Sequence, residues 1–189
     1  MHVRQLSISY QPEQDRILVR VNTSEERELQ FWFTRRLTLG LSPLLERIVT
    51  QAAARRGGPA TAHLASADPA TQKVMADFNR SETIRSADFS TPYQAPAARA
   101  PLFDTPLLIT EVNIAPIGTG TLRLHCSEKL GGAPPARQFE LALSDTLTHA
   151  FMHLLERAVG ASRWRDNQPV DPAAEPPSPN APAPPGYLN

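Results

Sequence analysis

The sequence predicts an α+β fold: internally duplicated βββα units forming an antiparallel sheet of about six strands, with the helices packed on one face and a helical insertion between the copies. Three observations predict it. Apolar residues alternate with period two in short segments of both halves. The spacing switches to three and four residues after the third segment of each half. The two halves also superpose across that switch when shifted by 110 residues.

Strands are expected at 2–10, 16–23 and 27–34, separated by the turns QPEQD and SEE. Ile17, Val19 and Val21 share one face of the second strand, and Leu29, Phe31 and Phe33 one face of the third, the pattern of a half-buried sheet. Leu37, Leu41, Leu44, Leu45 and Ile48 then recur at helical steps. Pro43 leaves two readings of this stretch: one kinked helix, or a new helix with Ser42 as N-cap and Pro43 at its first position. Gly57-Gly58-Pro59 ends it.

Residues 57–67 are small and polar and read as loop. Asp68-Pro69 opens a helix expected to end near Ser86, with Val74, Met75, Phe78 and Ile84 as a narrow stripe that docks on something larger. Residues 88–106 hold four prolines and are expected to run extended over the surface. In the second half strands are expected at 107–115, 119–126 and 137–143, and a helix at 145–161. Over 27–49 and 137–159 the halves share eight identities in 23 positions, among them Leu37-Thr38 with Leu147-Thr148 and Leu44-Leu45-Glu46-Arg47 with Leu154-Leu155-Glu156-Arg157. The expected domains are a first repeat at 1–56, an insertion at 57–106, a second repeat at 107–164 and a tail at 165–189.

The tail carries eight prolines and almost no large apolar residue before Tyr187-Leu188. It cannot bury enough surface to offset its ordering entropy, so it is expected to be disordered with polyproline character. Formal charge over all 189 residues is zero, 19 basic against 19 acidic, which argues against a strongly basic nucleic-acid binder. The balance hides an asymmetry: nine Arg face six acids in 1–56, whereas 166–189 hold three acids and no base. One cysteine, Cys126, excludes an intrachain disulfide. No apolar run approaches the roughly 18 residues of a membrane span, and the first residues lack a secretory pattern, so a cytoplasmic protein with no membrane partner is expected.

Alternation places Arg20, Gln30 and Trp32 on the outer face of the first repeat, and Arg123, His125 and Glu140 on that of the second. Arginine beside an exposed aromatic on a sheet suits stacking of single-stranded bases, although Trp32 also suits packing under the insertion. Arg35 and Arg36 follow the third strand directly and read as phosphate contacts or as a solvated helix start. His149, His153 and Glu156 share one helical face but lack the HExxH glutamate, so they read as an exposed polar face rather than a metal site. Cys126, between His125 and Ser127, reads as a buried structural thiol, because adjacent strand residues point to opposite faces. Tyr187 and Leu188 read as a tail docking motif.

These residues favour a non-enzymatic macromolecular binding or adaptor protein that uses the open sheet face and the disordered tail. Its expected partner is another protein, and a homo-oligomer is compatible with the pattern. The alternative is a single-stranded nucleic-acid binding module, since a doubled strand–helix unit resembles PUR, PC4 and Whirly-type sheets; those usually have four strands per unit, against three read here. An enzyme or small-ligand carrier with a pocket between sheet and insertion ranks third. No cofactor or metal is expected.

Overall fold

The computed structural model describes residues 1–25, 27–56, 69–86, 91–94, 101–118, 120–131 and 137–166. In chain order these form β1 (Val3–Gln11), β2 (Arg16–Thr23), β3 (Glu28–Thr34), α1 (Arg35–Arg56), α2 (Pro69–Ser86), β4 (Leu107–Ile109), β5 (Glu111–Ile117), β6 (Thr121–Glu128), β7 (Arg137–Ser144) and α3 (Asp145–Ser162). Tail residues 167–189, with Tyr187 and Leu188, lie outside the described residues, as does Asp68.

The fold is α+β, but the expected single antiparallel sheet is not what forms. The strands make two sheets, ordered β1-β2-β3-β4 and β5-β6-β7. Neighbours are antiparallel except β3 and β4, which run parallel with Trp32 opposite Leu108. The expected strand 107–115 breaks at Thr110, so its first half joins β3 and its second half joins β6. Thr110 N–H donates to the Ser127 carbonyl at 3.0 Å, which ties the break to β6. At the other end the Ala142 N–H donates to the Met1 carbonyl at 3.1 Å, and His2 pairs parallel with Ala142. The two sheets are therefore stitched together at both margins.

Local chemistry accounts for the strand-to-helix switches. Ser144 caps α3, its hydroxyl accepting from the Leu147 N–H at 3.3 Å. Thr34 does the same for Leu37 at 3.3 Å. One turn on, Thr38 and Thr148 are both buried, and each hydroxyl donates to the carbonyl four residues back, Thr34 and Ser144, at 2.9 Å. A buried hydroxyl is thus satisfied at each switch. α3 ends at Arg163, whose left-handed backbone (φ 54°) lets its N–H reach the Gly160 carbonyl.

α1 is one helix through Pro43, so Ser42 is not an N-cap; its hydroxyl donates to the Thr38 carbonyl at 3.1 Å. The expected docking stripe of α2 also fails in part, because Val74 and Phe78 are 66% and 63% exposed. α2 is held instead by polar contact, Arg80 Nη2 lying 2.5 Å from Glu156 Oε2 on α3.

One core joins both sheets with α1 and α3. Ile17, Val19, Val21, Leu29, Phe31 and Phe33 from the first sheet meet Leu122, Leu124, Phe139 and Leu141 from the second and Phe151 and Leu155 from α3. Phe31 stands 4.9 Å from Phe139 and 5.2 Å from Phe33, and Phe33 stands 6.5 Å from Phe151, centroid to centroid. These aromatic pairs cross from sheet to sheet and on to the helix, each adding roughly 0.5–1.5 kcal/mol beyond its area. A buried carboxylate fixes the seam between the sheets: Glu128 is 6% exposed, accepts from the Leu108 N–H at 2.7 Å and pairs with Arg137 at 2.5 Å. A buried charge held by a cation and a backbone donor avoids most of its desolvation cost.

Candidate macromolecular contact face

The ladder registers place the outer-face residues in rows. Gln5 lies opposite Asn22, which lies opposite Glu28; Ser7 lies opposite Arg20, which lies opposite Gln30; Ser9 lies opposite Leu18, which lies opposite Trp32. Period two therefore brings Arg20, Gln30 and Trp32 onto one face, as the alternation implied. Trp32 and Leu18 are half-buried there.

This face is not bare. The chain's own segment Thr91–Gln94 lies on it. Gln5 Nε2 donates to the Pro92 carbonyl at 3.0 Å, and the Gln94 N–H donates back to Gln5 Oε1 at 3.1 Å. Asn22 Nδ2 donates to the Gln94 carbonyl. Between these main-chain contacts Tyr93 is seated, its ring 5.4 Å from the Arg20 guanidinium carbon. Its hydroxyl lies 3.1 Å from Asn22 Oδ1 and 2.9 Å from Glu28 Oε1 and shares its one proton between these two acceptors, the carboxylate being the nearer. Burial, and then the bond to Glu28, push the Tyr93 phenol well above its ordinary range. Arg20 Nε is buried with no hydrogen-bond partner among the described residues, and the guanidinium lies as a cationic surface under the ring.

Arg123, His125 and Glu140 come together too, but on the second sheet and on one another. Glu140 lies 3.4 Å from His125 Nδ1 and 3.9 Å from Arg123 Nη1. Their charges are largely compensated locally. The Arg35–Arg36 pair divides: Arg35 donates to the Trp164 carbonyl at 2.7 Å, holding the end of α3, while Arg36 is exposed. Neither joins the Arg20 face in any contact described above.

The histidine reading needs correction. His149 is 4% exposed rather than part of an exposed polar face, and its Nε2 lies 3.8 Å from Asp145. Glu156 is engaged by Arg80. The described residues contain no group of three metal-ligating side chains. Cys126 is fully buried, and burial pushes its thiol up to about 12. A groove of about 490 Å³ runs between α1 and the β4–β5 break, lined by Leu37, Leu41, Leu44, Leu108 and Val112 with Arg36 beside them. Among the described residues no helix is long and apolar enough to cross a membrane.

What sequence reasoning missed is Tyr93, with Gln5, Asn22 and Glu28 around it. Part of the signal was present, since residues 88–106 read as an extended surface segment. Compared with known proteins, the chain matches no family model, no curated protein and no solved structure.

Proposed function

We propose that this chain is a non-enzymatic protein-binding adaptor whose contact surface is the outer face of β1–β3, with the Pro-rich tail and its Tyr187-Leu188 pair as a second recruiting element. One observation carries the reading: an extended stretch of chain is already held on that face through its main-chain groups, by the side-chain amides of Gln5 and Asn22. Side chains that grip backbone are a general means of binding extended peptide. The nucleic-acid reading relied on an open Arg20 beside Trp32, and the Tyr93 ring over Arg20 weighs against it. The test is affinity capture with the whole chain and with Arg20→Glu/Trp32→Ala. Partners lost with that variant and kept with Arg123→Glu support the reading. Unchanged partners refute it, and salt-dependent oligonucleotide binding by the wild-type chain would replace it with the alternative.

The chain is also read as a duplicated βββα unit. Support comes from the registers. Ile8 and Ile114 occupy matching ladder positions, 106 residues apart, and so do His2 and Leu108, reached independently through the parallel pairs to Ala142 and Trp32. The matching caps at Thr34 and Ser144 and the matching hydroxyl bonds of Thr38 and Thr148 agree with it.

A further inference from the structure

We propose that the outer face of β1–β3 is a site for extended peptides bearing an unmodified tyrosine, and that Thr91–Gln94 is its built-in occupant. The proposal rests on the adaptor reading and names its ligand. Gln5 presents a donor and an acceptor to the carbonyl of one residue and the N–H of the residue two further on. Those are the two groups that an extended strand offers on one edge. Binding of this kind is indifferent to side chains but not to backbone chemistry. The residue after the tyrosine must keep its N–H, because Gln5 accepts it; proline there removes the bond. The residue before the tyrosine donates nothing to Gln5, and Pro92 occupies that place with its dihedral already set for an extended chain.

Selection for tyrosine comes from the pocket between the rows. Arg20 takes the ring face, while Asn22 and Glu28 take the hydroxyl proton. Phenylalanine keeps the ring contact and takes the donor from Glu28 Oε1, while Gln30 still donates to Oε2. Phosphotyrosine places a dianion against the Glu28 carboxylate, so modification of the incoming tyrosine works as an off-signal. Self-occupancy has a further consequence. A tethered segment competes at an effective concentration on the order of millimolar, so a free peptide meets a mostly closed site in the unaltered chain.

The experiment follows from that competition. The full chain carrying Tyr93→Ala is titrated into a fluorescein-labelled hexapeptide Ser-Thr-Pro-Tyr-Gln-Ala, the sequence of residues 90–95, and anisotropy is read. The variant is expected to bind it at least about tenfold more tightly than the wild-type chain does, because the tether no longer supplies a competing ring. Peptides with phenylalanine or phosphotyrosine at the tyrosine position, or proline at the next, are expected to bind about tenfold or more weakly, the loss of one charge-assisted or main-chain hydrogen bond. Adding Gln5→Ala is expected to abolish binding; circular dichroism with thermal melting checks that each variant is folded. In Tyr93→Phe, which keeps the ring and the fold, hydrogen exchange at Gln94 is expected to speed up. Equal binding of the tyrosine, phenylalanine and phosphotyrosine peptides, or no saturable binding by a folded Tyr93→Ala chain, overturns the ligand assignment. If that happens while Arg20→Glu/Trp32→Ala still strips captured partners, the adaptor reading stands without this ligand. Partners retained by that variant sink the adaptor reading itself.

Discussion

Trp164 is expected to be the most consequential single side chain outside the phenylalanine core. It follows α3 directly, is 3% exposed, and reaches back across the chain to the β1–β2 turn. Its indole N–H donates to Asp15 Oδ1 at 2.6 Å, and its ring meets Tyr10 edge-on at 5.6 Å. Its carbonyl accepts from Arg35 at the start of α1. Truncation in Trp164→Ala removes a buried indole, for which large-to-small substitution costs roughly 3–5 kcal/mol. Against a typical domain stability of about 5–15 kcal/mol that is a large share. Trp164→Phe keeps most of the ring and loses the bond to Asp15, a loss near 1 kcal/mol because the carboxylate is exposed and screened.

The two variants separate packing from charge through pH. The Trp164 hydrogen bond, and after it the one from Tyr10, hold the Asp15 carboxyl below its ordinary value. A depressed carboxyl contributes stability that is present above the unfolded Asp value of about 3.9 and is lost as pH falls through the folded value. Urea unfolding followed from neutral pH downward is therefore expected to show wild-type and Trp164→Phe converging below that value, while Trp164→Ala stays less stable throughout. A gap between wild-type and Trp164→Phe that does not change with pH refutes the role given to Asp15. A cost below about 1 kcal/mol for Trp164→Ala refutes the claim that this residue locks α3 to the first sheet.

Replacing the exposed Pro43 in Pro43→Ala is expected to raise stability by between about 1 and 3 kcal/mol in urea unfolding, since a continuous α1 regains a backbone bond; a loss of stability refutes that reasoning. Cys126 is expected to resist a thiol reagent in the native chain and to react at once in urea, because burial holds the thiol neutral at ordinary pH; rapid native labelling contradicts its position. Alkaline titration followed by tyrosinate absorbance is expected to show Tyr93 ionising last, a phase removed in Tyr93→Phe, while that of Tyr10, raised by its bond to Asp15, stays. The raised value of Tyr93 means that the stability it contributes is present below about 10 and is lost as pH rises through the folded value; an ordinary titration for all tyrosines refutes the burial of Tyr93 and its bond to Glu28.

How much of this was legible depended on whether the determining contact was local. β2 falls on the expected residues 16–23 because Ile17, Val19 and Val21 need only one buried face. α3 falls within a residue of expectation because Ser144 supplies its own cap. His149 was read on the polar face, yet the buried face of α3 is rotated to take in Thr148 and His149 beside Phe151, Met152, Leu155, Ala158 and Val159. That rotation is set by α3 packing against β1 and α2 as well as its own sheet, which no helical wheel contains. The split of 107–115 into β4 and β5 is non-local in the same way: alternation says which face is buried, not which strand is the neighbour. The outer face teaches the same lesson about function. Arg20 and Trp32 were found from period two alone, yet the meaning of Arg20 comes from Tyr93, 73 residues away in sequence and lying across the guanidinium. A cation that alternation presents as free for an external ring is already under an internal one. The face's chemistry is therefore better described by what it holds than by what it exposes.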